Sequence, residues 1–205
     1  MDGENVKWIC NIPSEFTKTL IEYDKTHNPY DAYKLRLFYR DGVYVMKSKA
    51  KYTEHMLSAA DCYENTDEKS IEVCEILCEA AKVLKDKKDT EKAATLLTKR
   101  RVILFEIISD DCSDTNLELL NKINGLYYSV EKSVDYTVFD TGLILRKHGN
   151  AVLKYGCKEY ALSKENGTIK FGETQTFNGV NEFIKSAQAG GICIRKLYRE
   201  IKIIY

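Results

Sequence analysis

Apolar residues recur at helical spacing through the first two thirds of the chain. The clearest stripe recurs every three or four residues: Ile71, Cys74, Leu77, Cys78, Ala81 and Leu84. That spacing is typical of a helix with one buried face. No proline interrupts residues 30–135. The pattern predicts about five or six helices joined by short polar turns, packed as a bundle or as a helical repeat.

Polar residues between the stripes indicate where the helices begin and end. Asp31 is the expected N-cap of the second helix, and Asp89 is the expected N-cap of the helix that follows residue 88. Val43 and Met46 keep the helical spacing of the second stripe, so this helix is expected to continue past Ala50. A break and a new cap are expected at residues 65–67.

After Tyr136 the pattern changes from helical to strand-like. Three short strands are expected, at residues 152–155, 159–162 and 168–171. Asn166-Gly167 between the last two is a strong hairpin signal. A helix capped by Asn178 and ended by Gly190-Gly191 comes next, and residues 192–204 are expected to form a final strand. The predicted order is β-β-β-α-β, and the predicted class of the whole chain is α+β.

Composition divides the chain at the same place. Residues 1–135 hold 20 lysines and arginines against 25 acidic residues, whereas residues 136–205 hold 11 against 6. Eight of the 11 glycines lie in the second part. The coincidence of both changes predicts a boundary between a helical protein-interaction domain at 1–135 and a small basic module at 136–205.

Three segments of the second part carry a family resemblance. They are Thr141-Gly142-Leu143-Ile144, Gly167-Thr168-Ile169-Lys170-Phe171-Gly172 and Thr176-Phe177-Asn178-Gly179-Val180. Together they resemble the RAMA domain, a module associated with restriction and adenine-methylase systems and found in chromatin proteins. The stretch Gly190–Ile194 departs from that family because it has no tryptophan. The resemblance implies a module that contacts DNA or chromatin and performs no catalysis.

A second resemblance concerns the helical part. The segments Glu75–Ala81 and Asp89–Ala93 place small residues where two packed helices would need them. In this respect they resemble a tetratricopeptide-type hairpin, although the full repeat signature is absent. Generic packing of two helices is the alternative interpretation.

Cations of the second part are the candidate nucleic-acid contacts, because lysine and arginine provide affinity for phosphates. The set comprises Arg146, Lys147, Lys154, Lys158, Lys170, Arg195, Lys196 and Arg199. The alternative is that these residues protect solvated strand edges. The separate cluster Lys99-Arg100-Arg101 lies within a predicted helix and is interpreted as a solvated face. A contact to nucleic acid or to an acidic partner is the alternative.

Aromatic residues crowd one segment of the helical part. Tyr33, Phe38, Tyr39 and Tyr44 are the candidate partner-binding residues, because tyrosine is favoured at half-buried protein interfaces. Ordinary packing between helices explains the same residues equally well.

Several kinds of function lack any motif in the sequence. No nucleophile elbow, phosphate-binding loop or metalloprotease motif occurs, so no catalytic residue, cofactor or small-molecule substrate is predicted. Cys74 and Cys78 share a helix face but have no further ligands at zinc-site spacing, so no metal site is predicted. No apolar run is long enough to cross a membrane. Seven scattered cysteines and an acidic N-terminus that does not look like a signal peptide predict a reduced, intracellular protein.

The leading hypothesis is a non-enzymatic nuclear adaptor. Its helical part would bind a protein partner, and its C-terminal module would contact DNA or chromatin. One alternative is a pure protein-interaction scaffold without affinity for nucleic acid. Another is a pathogen or host-defence effector.

Overall fold

The computed structural model describes residues 14–64, 66, 69–131 and 136–205. The N-terminal segment with Cys10, the expected break at Asn65 and Asp67, and residues 132–135 at the predicted domain boundary lie outside the described residues. The chain divides into two compact units. We call Met1–Leu96 the helical unit and Leu97–Tyr205 the mixed unit.

The helical unit contains four complete helices and the beginning of a fifth within its described residues. They are α1 (Glu15–Thr26), α2 (Pro29–Asp41), α3 (Lys49–Glu64), α4 (Ile71–Asp86) and α5 (Thr90–Asp110). Contacts join α1 to α2, α2 to α3, and α3 to α4. The Asp89 side chain accepts the Lys92 N–H at 3.2 Å, which confirms its predicted place before α5.

The N-cap of α2 is Asn28 rather than Asp31. The Asn28 side chain accepts the Tyr30 N–H at 2.8 Å, and Pro29 occupies the first helical position. Proline is favoured there because its missing N–H would have no partner in the helix. The cap therefore precedes the proline, and Asp31 lies inside the first turn.

Helix α2 ends at Asp41, so the predicted continuation past Ala50 is wrong. Gly42 adopts the left-handed conformation with φ of 76°, and its N–H donates to the Phe38 carbonyl oxygen at 2.9 Å. This is a common glycine C-cap, which satisfies a carbonyl of the last turn. Residues 42–48, which we call the α2–α3 loop, separate the two helices.

A buried arginine lies at the centre of the helical unit. Arg36 of α2 is only 1% exposed and forms an ion pair with Glu79 of α4. Its guanidinium carbon lies 4.1 Å from the ring centroid of Tyr33 and 5.8 Å from that of Tyr52 in α3. The predicted stripe of α4 is confirmed, since its core-facing residues are buried from Cys74 to Leu84.

The mixed unit follows α5 with helices and then strands. Its helical elements are α6 (Asp114–Val130), the 3₁₀ helix η1 (Val138–Asp140), α7 (Thr141–His148), α8 (Val180–Ser186) and the 3₁₀ helix η2 (Ile194–Leu197). Its strands are β1 (Asn150–Tyr155), β2 (Lys158–Glu165), β3 (Thr168–Phe171), β4 (Gln175–Phe177), β5 (Gln188–Ala189), β6 (Ile192–Cys193) and β7 (Lys202–Ile204). The predicted α+β class is confirmed.

Five of the strands form one antiparallel sheet in the order β4-β3-β2-β1-β7, and β5 pairs with β6 separately. Asn166 and Gly167 have φ of 49° and 88° between β2 and β3. Two positive φ values are what a tight type I′ hairpin needs, and the pairing Glu165↔Thr168 follows from it. The predicted hairpin is confirmed.

The remaining order of the module differs from the prediction. The structure adds η1 and α7 before the first strand and β4 before α8. Helix α8 is preceded by Gly179 at φ of 116°, not capped by Asn178, and it ends at Ser186. Gly190-Gly191 instead forms the turn between β5 and β6, where both residues have positive φ.

The closing segment is not one strand. Residues 192–204 are divided among β6, η2 and β7. Ile194 and Leu197 of η2 are buried, as is Ile201. The segment bends because these apolar residues are not spaced in a strand alternation.

The two faces of the sheet differ in burial. The inner face carries Leu153, Leu162 and Phe171, and the Phe183 ring of α8 packs at 5.3 Å from the Phe171 ring. The opposite, open face carries Lys154, Lys170 and other polar side chains. This alternation is typical of an antiparallel sheet with one solvated side.

A buried polar network joins α5, α6 and η1. The Arg101 guanidinium donates to Asp140 at 2.5 Å and to the Asn124 side-chain oxygen at 2.8 Å. Tyr128 of α6 also donates to Asp140, and burial and the charge of Asp140 raise the pKa of Tyr128. The second oxygen of Asp140 accepts the N–H of Thr137 at 2.8 Å. Both carboxylate oxygens of Asp140 therefore accept hydrogen bonds.

The network corrects the interpretation of Lys99-Arg100-Arg101 as a solvated face. Arg100 and Arg101 are buried, at 1% and 5% exposure. Arg101 lies 4.1 Å from the Tyr127 ring centroid, which replaces part of the hydration that the guanidinium loses. A run of cations in sequence does not distinguish the two environments, because Asp140 lies 39 residues away along the chain.

The same contacts explain why the mixed unit begins earlier than the compositional boundary near residue 135. Phe105 of α5 stacks on Phe139 of η1 with ring centroids 4.6 Å apart, and Arg101 binds Asp140. The end of α5 and the whole of α6 thus belong with the strands. The changes in charge and glycine content near residue 135 therefore mark the transition from helices to strands, not the boundary between the two compact units.

Replacing Asp140 with alanine tests the energetic weight of this network. We expect Asp140→Ala to lower the free energy of unfolding by about 3–5 kcal/mol, because it leaves the buried Arg101 charge uncompensated. Urea unfolding followed by circular dichroism measures the change.

The matched control is Glu165→Ala, which breaks the exposed pair with Lys170. We expect this variant to lose no more than about 1 kcal/mol. Equal, small losses in both variants would show that the buried network does not stabilise the mixed unit.

Candidate functional site

The eight predicted nucleic-acid contacts do not form one surface with free charges. Lys154 and Lys170 lie on the open face of the sheet, and each forms an ion pair there, with Glu159 and Glu165 respectively. Exposed pairs of this kind are weak, but they reduce the positive potential that a phosphate would meet.

Two of the predicted arginines make contacts inside the mixed unit. Arg195 donates to the Lys185 carbonyl oxygen at 2.5 Å and to the Cys193 sulfur at 3.0 Å. Arg199 forms an ion pair with Glu106 of α5. These contacts connect the closing segment to α8 and α5.

The other four predicted cations are exposed. Lys158 begins β2 and Lys196 lies on η2. Arg146 and Lys147 are adjacent in the last turn of α7, where cations also interact favourably with the helix dipole. Among the described residues, neither Arg146 nor Lys147 forms an ion pair.

Three aromatic rings lie in contact at the C-terminal end of α7, one of them from its last residue, His148. The His148 and Tyr205 rings lie 4.4 Å apart, the Tyr136 and Tyr205 rings 5.1 Å, and the Tyr136 and His148 rings 6.4 Å. We call these three residues the aromatic cluster. The Lys147 ammonium group donates to the Tyr136 hydroxyl at 3.2 Å, and Tyr205 is 59% exposed. Cations and exposed rings thus meet at one place.

The four predicted partner-binding residues have unequal roles. Tyr33 covers Arg36, and Tyr39 stacks on His55 with centroids 5.6 Å apart and planes at 7°. Phe38 packs edge-on against Tyr44 at 5.8 Å. Tyr33, Phe38 and Tyr39 therefore contribute to the packing of the helical unit, and Tyr44 is the exposed member of the set.

The α2–α3 loop exposes a compact group of apolar side chains. Val43 is 47% exposed, Tyr44 62% and Met46 89%. Tyr44 also adopts a positive φ of 63°, which is uncommon for an aromatic residue. The exposed cations Lys47 and Lys49 follow immediately. Strained backbone is found preferentially at functional sites, and clustered exposed apolar groups mark interaction sites.

Val43, Met46 and the aromatic cluster were missed by the sequence pattern as functional candidates. Val43 and Met46 were expected in a helix, yet Gly42 after Asp41 is a helix-ending signal that would have placed them in a loop. The aromatic cluster has no such signal, since its members lie far apart in sequence and meet only through the pairing of β7 with β1.

Comparisons with known proteins identify no relative: no family model matches the chain, and neither the curated proteins nor the solved structures yield a significant match. Among the described residues, no helix is both long enough and apolar enough to cross a bilayer. Within the same residues, no group of three or more histidine, cysteine and acidic side chains has a geometry suited to a metal ion.

The buried histidine of α3, His55, is expected to make the stability of the protein depend on pH. His55 is buried between Tyr39 and Tyr23, and this burial lowers its pKa below the usual 6.5. The positive charge of Lys51 lowers the pKa further, and together these effects outweigh the negative charges of Glu54 and Asp24, which raise it. As the pH falls below about 6.5, the unfolded chain binds a proton at His55 more readily than the folded chain. We therefore expect stability to decrease on acidification, measured as the urea midpoint between pH of about 7.5 and about 5.0.

The variant His55→Phe keeps a ring at this position and removes the titrating group. It should lessen the decrease relative to the unchanged chain, whereas His148→Gln, at an exposed histidine, should not. An identical pH profile for His55→Phe and the unchanged chain would contradict the assignment.

Proposed function

We propose that this protein is a non-enzymatic adaptor that binds a protein partner through the α2–α3 loop and contacts nucleic acid through its mixed unit. The exposed group Val43, Tyr44 and Met46 carries the proposal. In this proposal the adaptor acts in the nucleus, on DNA or chromatin.

The chemistry of the loop indicates the kind of partner. Met46 is flexible and polarizable, and such side chains fill irregular apolar grooves. Tyr44 offers a large contact area at a low entropic cost. Because Lys47 and Lys49 follow the apolar residues, the complementary partner is a protein groove with an apolar floor and an acidic rim.

The nucleic-acid half of the proposal rests on fewer residues. The sequence favours it through the positive balance of residues 136–205 and the resemblance to the RAMA domain. The ion pairs of Lys154, Lys170 and Arg199 weaken it, which leaves Arg146 and Lys147 beside the aromatic cluster as its best support.

Substitutions in the loop test the protein-binding half. Tyr44→Gly combined with Met46→Ser removes two apolar side chains, and glycine accepts the positive φ at position 44 without strain. We expect this variant to remain as stable as the unchanged chain and to lose a stoichiometric protein partner in affinity purification from cells. The control Ile192→Ser changes an exposed apolar residue of the mixed unit and should retain that partner.

A zero-length amine–carboxyl cross-linker then identifies the contact. The proposal requires cross-links from Lys47 or Lys49 to acidic residues of the recovered partner. Cross-links only from other lysines, or a partner retained by the loop variant, would contradict it. If the α2–α3 loop instead binds anionic lipid vesicles and no protein partner is recovered, the proposed protein contact would be wrong and the loop would be a membrane contact.

A further inference from the structure

The end of α7 brings cations and aromatic rings together. Helix-dipole stabilisation accounts for cations in the last turn of α7. The rings of Tyr136, His148 and Tyr205 lie beside these cations, and the Tyr205 side chain is 59% exposed. Exposed rings beside two cations that form no ion pair with any described residue suit a ligand that is both flat and anionic.

We propose that the aromatic cluster, with Arg146 and Lys147, binds single-stranded nucleic acid by stacking an unpaired base on the Tyr205 ring. This inference rests on the nucleic-acid half of the proposed function and names the kind of strand. Base faces stack readily on tyrosine and histidine rings, and adjacent lysine and arginine side chains bind the backbone phosphates.

The charges of the mixed unit favour a single strand over a duplex. A duplex hides its base faces, so its binding would depend on many phosphate contacts. Lys154, Lys170 and Arg199 are already ion-paired, and Arg195 is bound within the unit. Two cations at the end of α7 are few for a duplex, whereas a stacked base adds affinity that needs no further charge.

The sheet extends the surface along β7. Lys202 is exposed and points to the open face together with Ile204, since these residues pair with Lys154 and Val152 of β1. Tyr205 lies three residues beyond Lys202, and three residues of a strand span about 10 Å. Lys202 is therefore the cation of β7 that lies nearest to Tyr205 along the chain.

Fluorescence anisotropy with the full chain tests the inference directly. The probes are a labelled oligo-dT of about 20 nucleotides and a labelled duplex of equal length, each at about 50 and about 200 mM salt. We expect the single strand to bind more tightly than the duplex.

Tyr205→Ala should weaken single-strand binding at least about fivefold, because one stacked base is lost. Tyr205→Phe should bind as the unchanged chain does, and Tyr30→Ala, at an exposed tyrosine of the helical unit, should also have no effect.

The cations are tested by the double variant Arg146→Gln/Lys147→Gln. On a single strand we expect it to reduce the slope of log affinity against log salt by about 1.4, which corresponds to about 0.7 for each lost phosphate contact. The control Lys158→Gln/Lys196→Gln removes the same charge elsewhere on the mixed unit and should change the slope less.

The outcomes separate this inference from the proposed function. Duplex binding at least as tight as single-strand binding, unchanged by Tyr205→Ala, would overturn the inference and leave the nucleic-acid half of the function standing. No binding to either probe at the lower salt would overturn both. A loss in Tyr205→Phe equal to that in Tyr205→Ala would also contradict base stacking, because phenylalanine retains the ring.

Discussion

The ion pair between Arg101 and Asp140 is the interaction on which the mixed unit depends most. It joins α5 to η1, and Asp140 directly precedes α7, the helix that ends at Arg146, Lys147 and His148. The pair costs desolvation, yet each charged group has further partners: Asn124 and Tyr127 for the arginine, and Tyr128 and Thr137 for the carboxylate. A buried pair satisfied in this way specifies one arrangement, because any shift leaves a charge without a partner.

The helical unit also buries an arginine in an ion pair. Arg36 is buried beside the rings of Tyr33 and Tyr52 and forms an ion pair with Glu79. Five of the 14 tyrosines pack against an arginine in this way: Tyr33 and Tyr52 on Arg36, Tyr127 and Tyr128 on Arg101, and Tyr198 on Arg199. Tyr44 and Tyr205 are the two most exposed tyrosines, at 62% and 59%. These two residues belong to the two proposed binding surfaces, one in each unit.

Local patterns in the sequence predicted some local structure correctly, although they misplaced the N-caps of α2 and α8 and the end of α2. The stripe of α4 and the Asn166-Gly167 hairpin follow from short-range rules, because their spacing and backbone preferences lie within a few residues. Long-range contacts were not accessible in this way. Arg101 looked like part of a solvated run because its partner Asp140 is remote in sequence, and β7 could not be separated from η2 without knowing its pairing with β1. The same difference applies to the candidate binding residues. The crowding of aromatic residues in one segment pointed to Tyr44, whereas Tyr205 became a candidate only when the pairing of β7 with β1 placed it beside α7.

Hydrogen exchange of the full chain in the presence of oligo-dT tests most directly whether the protein keeps two separate surfaces for two kinds of partner. The account predicts slower exchange in residues 136–148 and 200–205, with residues 42–48 unchanged. Slower exchange in the α2–α3 loop, or protection confined to the β1–β2 and β2–β3 turns, would contradict it.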